Sequence, residues 1–548
     1  MNPLMSLDTV WLLLPEIVLV ATATLVFVGG AFINSRVGFH LVALASVLVA
    51  AGLLFRQEVV LGMFEPGAVH GHSGPILIDY FGHALRWLAL LTGGLFLLLS
   101  SRAGPDDLAT EVTGSLLLAV AGLMLVCISG DIVLLFAGLE LISIPTYILL
   151  YLGRDNAASQ EATTKYFFLS ILSSALLLYG FSFLYGISGT TELAAVRQAV
   201  VDVNIASRSG LAALAPLAMV LMLAGLGFRI AAVPFHFYAP DVYQGTTNGN
   251  AGLLAVVPKI AGIVALIRLI VAAMPGVESV AWQLVLAVAV LTMTLGNVTA
   301  LWQQNIRRMM AYSSIAHAGY MFIGLAVALA VAARGGDSPA ADGVAAALFY
   351  LVVYVLATTG VFAVLVYLSS RARQIDGVDD LAGIGQTHPL TAICLAIFMF
   401  SLTGLPPLAG FWGKLSLFLG ALAVDVQPPS TGLRPWFVSL AVIGALNAAI
   451  SAGYYLRVVG VMYFRSPVNV PRAEGGRGAW LTAAVAAVLV VAVGLVSEPV
   501  FSTARRASSS LHNPAVLEME ANSALPRSDD RTVPPALTQA IPAEPAPR

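Results

Sequence analysis

The chain has 548 residues, of which 59% are hydrophobic and 10% are charged, and its formal net charge is -2. Soluble domains carry about 25% charged residues, so this composition excludes a soluble globular protein and indicates an integral membrane protein. The charge balance gives no reason to expect nucleic-acid binding, and a lipid bilayer is the expected surrounding.

Apolar segments follow one another along nearly the whole chain. A bilayer core of about 30 Å requires roughly 20 apolar residues as helix, and this criterion predicts an all-α membrane protein with about 14 transmembrane helices. The predicted spans lie near 10–32, 38–55, 82–100, 112–130, 132–152, 166–187, 211–233, 249–273, 280–302, 309–333, 342–369, 389–423, 436–463 and 479–501.

Two of these segments contain prolines and glycines at membrane depth. They read GLGFRIAAVPFHFYAPD at 225–241 and SLTGLPPLAGFWGKL at 401–415. Proline removes a backbone donor, and irregular backbone is tolerated in a membrane only where protein or a water-filled cavity satisfies it. The breaks are about 170 residues apart, which five helices per repeat would produce, and matched breaks of this kind point to an ion path.

The distribution of arginines predicts the orientation of the chain. With the N-terminus outside, ten loop arginines fall on the cytoplasmic side and five on the opposite side, so both termini are expected outside. The first apolar run has no basic segment before it and carries Glu16, which favours a retained span over a cleaved signal peptide. The tail at 506–548 lacks an apolar period and is expected to be disordered.

Only three lysines occur in the chain, against 24 arginines. Two of them, Lys259 and Lys414, lie inside apolar segments. A buried lysine can give up its proton, whereas arginine effectively never does, so both lysines are expected to carry protons. The alternatives are a permanent ion pair for Lys259 and snorkelling for Lys414. Lys165 opens an apolar run near Glu161, and snorkelling and a relay role are equally compatible with that position.

Glu140 lies in the middle of DIVLLFAGLELISIPTYILL, where a lone carboxylate is costly unless it is neutral or paired. We interpret it as one station of a proton relay; the alternative is an ion pair that locks two helices. Arg229 can change the electrostatic field at a neighbouring group, but it cannot transfer a proton itself. His236 and His317 are candidates for proton transfer or, alternatively, satisfied core histidines. Snorkelling is expected for two further arginines, Arg268 and Arg457.

Six stretches between about 130 and 464 together resemble the antiporter-like membrane subunits of respiratory complex I, the proton-pumping NADH:quinone oxidoreductase. They are GDIVLLFAGLELISIPTYILLYL, EATTKYFFLSILSSALLLYG, VPFHFYAPDVYQG, NIRRMMAYSSIAHAGYMFIG, FSLTGLPPLAGFWGKL and YYLRVVGVMYF. Within this family PDVYQG is similar to the N-type subunits rather than the L or M types. Lys414 also fits the N type better than the M type, where a glutamate is usual.

The resemblance implies two inverted five-helix repeats, each with a broken helix. They would occupy 112–273 and 274–465, after three transmembrane helices in 1–111 and before a last one in 466–505. The stretch after PDVYQG usually contains proline in this family but reads TTNGNAG here. The start of the following helix is therefore not fixed by the resemblance.

The resemblance also implies roles for individual residues. Glu140 matches the family's glutamate, Lys259 its central lysine and Lys414 its exit-side lysine, while His317 lies where the two half-channels meet. The first broken helix usually carries lysine where this chain has Arg229. A fixed charge at 229 could pair with Glu140 and tune Lys259, but direct proton transfer through it is not expected.

By the same resemblance, this chain binds no cofactor or metal. NADH, FMN, iron-sulfur clusters and quinone are implied in partner subunits, and the other membrane subunits of the complex are the expected partners in a bacterial inner membrane. Two rival hypotheses stay open: a subunit of a Mrp-type cation/proton antiporter, and a structural membrane subunit that does not pump. A small-molecule transporter is a distant third.

Overall fold

The computed structural model describes residues 7–33, 35–63, 71–101, 108–153, 156–205, 214–334, 341–370, 373–426, 432–467 and 471–511. Helices dominate these residues. The helices up to the middle of the chain are α1 (Leu7–Leu12), α2 (Leu14–Gly30), α3 (Arg36–Val60), α4 (Tyr80–Ser100), α5 (Ala109–Ile128), α6 (Ile132–Tyr151), α7 (Ala157–Ser188), α8 (Leu193–Ile205), α9 (Leu214–Ile230), α10 (Ala239–Gly245) and α11 (Asn248–Leu266), which continues as a π-helical turn over Ile267–Ala272.

The second half repeats this pattern of long helices. It contains α12 (Glu278–Leu301), α13 (Ile306–Ala332), α14 (Gly343–Tyr367), α15 (Ile384–Thr387), α16 (Pro389–Thr403), α17 (Ala409–Ala423), α18 (Arg434–Phe464), α19 (Gly476–Leu495) and α20 (Glu498–Leu511), with a short 3-10 turn at Val378–Leu381. Between α3 and α4, strands β1 (Gly71–Ser73) and β2 (Ile76–Ile78) form an antiparallel hairpin, with Gly71 opposite Ile78.

The predicted number of spans is confirmed for the described residues. Eleven helices are long and apolar enough to cross a membrane, and α2, α9, α16 and α17 are shorter apolar helices. Because α16 and α17 are the two halves of one broken span, the total is fourteen. The chain is therefore a multi-pass membrane protein.

Two consecutive groups of five spans have the same internal order. The first helix set comprises α5, α6, α7, the broken span α9–α10 and α11; the second comprises α12, α13, α14, the broken span α16–α17 and α18. The break falls in the fourth span of each set. Since five is an odd number, the second set crosses the membrane in the direction opposite to the first.

Side-chain caps fix the starts of several helices. Asp131 accepts from the backbone N–H groups of Val133 and Leu134 at the start of α6, which satisfies donors that have no partner within the helix. Thr247 caps α11 by accepting from the N–H of Asn250. The helix after PDVYQG therefore begins at Asn248 without the proline that the family usually has there.

The centre of the protein is formed by α11 and α14, which pack against each other. Nearly every residue of these two helices is buried, whereas α3, α12 and α18 leave one side exposed. Because α11 belongs to the first group of five spans described above and α14 to the second, their contact joins the two groups. Residues on them are shielded from lipid.

The expected start of the disordered tail is wrong by several residues. The last helix, α20, continues through residues 506–511 and packs against α4 and α14. Its phenylalanine Phe501 contacts Phe349 of α14, and Ser510 accepts from the backbone of Phe81. The rest of the predicted tail, 512–548, lies outside the described residues.

Candidate functional site

Glu140 of α6 is paired with Arg229 at the end of α9. The Arg229 Nη2 atom lies 2.7 Å from Glu140 Oε1, and Nη1 donates to the hydroxyl of Ser143 at 2.6 Å and the carbonyl of Leu139 at 3.1 Å. Ser174 of α7 donates to the same carboxylate oxygen at 2.6 Å. The arginine side chain is 5% exposed and the glutamate 26%, so the pair is buried on one side and reaches the protein surface on the other.

The first break places Arg229 at this position. Helix α9 ends at Ile230, and Ala231 adopts a left-handed φ of 62°, which turns the chain away from the helix axis. Tyr238 holds the far side of the break, since its hydroxyl donates to the carbonyl of Phe228 at 2.9 Å and the two rings stack. The backbone N–H of Val233 donates a hydrogen bond to the hydroxyl of Thr292 in the second helix set. Side chains thus satisfy backbone groups that the break releases.

Lys259 lies in the middle of α11 and is 1% exposed. Among the described residues it makes no ion pair and no side-chain hydrogen bond. The residue before it, Pro258, has no N–H to donate to the carbonyl of Leu254. A buried, unpaired ammonium is costly, so this lysine is a group whose charge depends on its surroundings.

A chain of hydroxyl groups begins one helical turn before Lys259. The hydroxyl of Tyr354, on α14, donates to the carbonyl of Ala255 at 2.9 Å and lies 2.8 Å from the hydroxyl of Ser314 on α13. Ala255 and Lys259 are four residues apart and share one face of α11. The chain therefore connects the neighbourhood of Lys259 with the second helix set.

A second hydrogen-bonded group surrounds His317 on α13, and the His317 ring centre lies 5.3 Å from that of Tyr354. The Nε2 atom of His317 lies 2.8 Å from the hydroxyl of Tyr455, which is also hydrogen-bonded to Ser313, and its Nδ1 atom lies 2.5 Å from the hydroxyl of Tyr350. The imidazole is 3% exposed. A neutral imidazole donates a hydrogen bond from one ring nitrogen and accepts one at the other. One of the two tyrosines therefore contacts the donor nitrogen and the other contacts the acceptor nitrogen, and the imidazole can exchange protons between them.

Lys414 lies immediately after the second break. Its Nζ atom donates to the carbonyls of Leu402 and Thr403, both at 2.9 Å, and lies 4.9 Å from the ring centre of Tyr320. These carbonyls end α16, where the helix leaves acceptors without donors and carries partial negative charge. Among the described residues no carboxylate pairs with Lys414. It is 4% exposed, so the snorkelling alternative is wrong.

Two glycines allow this arrangement at the second break. Gly404 ends α16 with a φ of 93°, a conformation that residues with a side chain rarely adopt. A Cβ at Gly413 would come within 2.7 Å of the ring of Tyr350. The absence of that atom lets the tyrosine that binds His317 pack directly beside the helical turn of Lys414.

The two remaining candidates lie away from this buried chain. Lys165 is 39% exposed and pairs with Glu161 at 2.6 Å and with Asp241 at 2.8 Å, and Asp241 also binds Arg308. His236 lies within the first break and is half-buried, and its Nδ1 atom has no partner among the described residues. The structure thus brings together Glu140 with Arg229, and His317 with tyrosines of α14 and α18.

The sequence interpretation missed two sets of residues. The tyrosines Tyr350, Tyr354 and Tyr455 lie in apolar runs and resemble core residues until the hydroxyl partners are known. Arg268 was expected to snorkel, which is wrong: it is 1% exposed and forms a bidentate pair with Asp79. Four-residue spacing on helices, as for Tyr350 and Tyr354, is the one signal in the sequence that could have grouped the tyrosines.

Within the described part of the chain, no group of three or more His, Cys, Asp or Glu side chains is arranged to hold a metal ion. Between Glu140 and Lys414, the groups described above are one ion pair, two lysines, one histidine and several hydroxyls. Groups of this kind can hold, release and pass on protons, and they extend from α6 in the first helix set to α17 in the second.

Comparison with known proteins identifies the family of the chain. A sequence profile for the family described as "NADH:quinone oxidoreductase/Mrp antiporter, TM" matches residues 129–429. The fold and the site thus define the class of antiporter-like membrane subunits. The NADH-quinone oxidoreductase subunit N of Trichlorobacter lovleyi is 37% identical over 456 residues, which cover 83% of this chain and 87% of that protein. The chain belongs to the NADH-quinone oxidoreductase subunit N family.

Solved structures show the same architecture. A chain of respiratory complex I from Thermus thermophilus with bound aureothin matches with a TM-score of 0.71 and 29% identity, covering 89% of this chain and 98% of that chain. A chain of the Mrp complex from Dietzia sp. matches with a TM-score of 0.76 but only 19% identity, covering 94% and 99%. The second likeness concerns the fold alone.

Proposed function

We propose that this chain is a proton-translocating membrane subunit of an NADH-quinone oxidoreductase, in which electron transfer from NADH to quinone drives proton movement through this subunit. The observation that supports this most is Lys259, a buried lysine without an ion-pair partner among the described residues, placed between an ion pair and a hydrogen-bonded chain. Membership of the subunit N family supports the assignment of the complex. NADH, FMN, iron-sulfur clusters and quinone would belong to partner subunits.

The proposed path begins at Glu140 and Arg229. Arg229 cannot transfer a proton, so its role is to hold the glutamate in one state and release it in another. Helices α6 and α9, which carry this pair, both pack against α11, so a change in the pairing alters the electrostatic field at Lys259 and with it the protonation equilibrium of the lysine.

From Lys259 the proton would pass to the second helix set. Tyr354, which is hydrogen-bonded to Ser314, lies with its ring centre 5.3 Å from that of His317, and Tyr350 leads from His317 towards Lys414. Lys414 would release the proton on the far side, because only carbonyls contact it and its neutral form leaves no carboxylate unpaired. Lys165 and His236 would act at most at the edge of this path.

The proposed repeats and orientation follow the same scheme. Residues 112–273 and 274–465 would form the two inverted repeats, after three helices in 1–111 and before the last span in 466–505. We place both termini on the periplasmic side of a bacterial inner membrane, supported by the excess of arginine in the opposite loops. The exposed quarter of Glu140 would face a neighbouring membrane subunit.

The decisive test is Lys259→Ala in the assembled complex. We expect NADH oxidation to continue in detergent while NADH-driven acidification of proteoliposomes falls at least about tenfold, because no other buried side chain can replace the lysine. The matched control is Lys165→Ala, which removes an exposed lysine. A normal ratio of protons to electrons in Lys259→Ala would refute the relay.

A second measurement tests the identity of the complex. The tagged chain is purified from its native membranes in mild detergent and assayed for inhibitor-sensitive NADH:quinone reductase activity. Activity that comigrates with the chain supports the proposal. A stable assembly that lacks this activity but exchanges sodium for protons would support the Mrp-type alternative instead.

A further inference from the structure

Tyr320 of α13 lies against Lys414, and the proton path proposed above does not use it. The Nζ atom of Lys414 is 4.9 Å from the centre of the Tyr320 ring, which is within the range of a cation–π contact. The tyrosine is 1% exposed and the lysine is 4% exposed. A cation–π contact is stronger when it is buried, because water does not compete for the cation.

The Tyr320 ring completes the surroundings of the Lys414 ammonium group. An ammonium has three N–H donors and no acceptor. The carbonyls of Leu402 and Thr403 accept from two of these donors, both at 2.9 Å. No further hydrogen bond of Nζ occurs within the described part of the chain, so the negatively polarised face of the Tyr320 ring is the group that stabilises the rest of the charge.

The carbonyls and the ring respond differently to the loss of a proton. A neutral amine still has two N–H groups, so both carbonyls can keep a donor after Lys414 is deprotonated. The face of an aromatic ring attracts a cation but not the lone pair of a neutral amine. The carbonyls therefore hold the lysine in place in both states, whereas Tyr320 favours the protonated state.

The titratable groups around Lys414 are phenols and one imidazole. Those that α13, α14 and α18 bring to this region are His317, Tyr320, Tyr350, Tyr454 and Tyr455. A phenol ionises only at about pH 10, and an imidazole is neutral or positive at physiological pH. None of these side chains can therefore act as a counter-ion for the lysine.

Charged groups on the other neighbouring helices lie farther away. α16 contacts Lys414 with its last turn and carries Cys394 in its first half. α19 contacts α17 with its last turn and carries Arg477 in its first turn. The first carboxylate after Lys414 is Asp425, eleven residues on, and it is paired with Arg334. The ring of Tyr320 is thus not duplicated by a nearby carboxylate within the described residues.

A pair of buried asparagines lies at the hydroxyl end of Tyr320. The amide nitrogen of Asn297, on α12, is 3.5 Å from that hydroxyl and 3.2 Å from the amide oxygen of Asn447, on α18. Tyr454 donates to the amide oxygen of Asn297 at 3.0 Å, and Asn447 donates to Thr294 at 3.2 Å. Buried amides require such partners, and these hydrogen bonds link α12 and α18 beside the tyrosine.

We propose that Tyr320 is a positioning residue for proton release: the face of its ring stabilises the protonated form of Lys414 and so sets how readily this lysine gives up its proton. With the ring in place, Lys414 can hold a proton that arrives from the side of His317, although no carboxylate balances the charge. The inference rests on the proposed role of Lys414 as the exit-side proton carrier.

The test uses the whole complex in proteoliposomes with Tyr320→Leu, which removes the ring and keeps an apolar side chain. The proton-to-electron ratio of NADH-driven pumping is measured over a series of pH values, so that any effect of pH on electron transfer cancels. The pH at which this ratio falls to half of its maximum on the alkaline side should drop by about one unit. Loss of a buried cation–π contact weakens proton binding to Lys414 about tenfold.

Two further variants make the result specific. Tyr320→Phe keeps the ring face and loses only the hydroxyl, so its half-maximal pH should match that of the wild type. The matched control is Tyr454→Leu, which removes a ring of equal burial that shares the contact with Asn297 but stacks beside Tyr455. This control should leave the half-maximal pH unchanged, whatever it does to the maximum.

Each result decides between the possibilities. A half-maximal pH that stays at the wild-type value in Tyr320→Leu would overturn the proposal, as would a loss of pumping that is equal at all pH values. An equal shift in Tyr320→Phe or in Tyr454→Leu would overturn it as well. If Tyr320→Leu fails to assemble, Tyr320→Met provides the same measurement with a longer side chain. Failure of the proposed path shows separately, as normal pumping in Lys414→Arg.

Discussion

The two broken spans hold their cations in different ways. At the first break the cation is Arg229, and a carboxylate, Glu140, lies 2.7 Å away. At the second break the cation is Lys414, and its contacts are the carbonyls of Leu402 and Thr403. The first cation cannot lose its proton and has a counter-ion. The second can lose its proton and has none among the described residues.

This difference indicates that similar backbone breaks serve different electrical purposes. A fixed charge with a movable partner suits a switch, because the partner alone changes state. A lysine stabilised by helix-end dipoles suits release, because its neutral form leaves no carboxylate unpaired. Substitutions that change the type of cation at each break are therefore the most direct test of this difference.

The largest effect is expected for Lys414→Arg. Arginine can still donate to the carbonyls at the end of α16, so the complex should assemble, but it cannot release a proton. NADH-driven acidification of proteoliposomes should fall about tenfold or more, as the path has lost its exit. Pumping at the wild-type rate would show that Lys414 serves only to hold the break together.

A smaller loss is expected for Arg229→Met. Removal of one partner of a buried ion pair costs about 3–5 kcal/mol, here reduced by the partial exposure of Glu140. Thermal unfolding of the complex should begin earlier, and pumping should fall several-fold. Arg229→Lys is the matched control: it restores the charge and should keep assembly and most of the pumping. Full activity of Arg229→Met would exclude the fixed-charge role.

A weaker effect should follow Tyr455→Phe. This change removes the hydroxyl that joins His317 to Ser313 while keeping the buried ring. The proton-to-electron ratio should fall about two- to threefold, because one link of the hydrogen-bonded chain is lost. The control is Tyr454→Phe, whose hydroxyl donates to Asn297 instead. Equal losses in both variants would point to packing rather than proton transfer.

The smallest effect is expected for Lys165→Ala. Its ion pairs with Glu161 and Asp241 are exposed, and such pairs contribute about 0–1 kcal/mol. Stability and pumping should both stay within experimental error of the wild type. A loss of pumping comparable to that of Lys414→Arg would extend the relay to the surface of α7.

Much of the fold could be predicted because a membrane imposes simple requirements on the sequence. The length of each apolar run predicted fourteen spans, and Pro234 and Pro407 marked both breaks. Lys259 and Lys414 stood out because charge is rare in such runs. These predictions depend only on local composition.

The pairings could not be predicted because they join distant parts of the chain. Asp79 and Arg268 meet only because α4, α5 and α11 come together, and the position of Arg268 near a span end suggested snorkelling. Tyr455 resembles any core tyrosine until His317 is placed opposite its hydroxyl. The sequence also does not show how deeply Lys165 is buried, and in the structure this lysine lies at the protein surface.

The complete burial of α11 has a consequence for biogenesis. This helix enters the membrane when the first helix set is synthesised, but α14, which covers it, follows some 70 residues later in the chain. Until then Lys259 faces lipid or a chaperone without its final cover. A nascent chain that stops after α11 should therefore be retained by insertion factors or degraded, and the two helix sets become stable only as a pair.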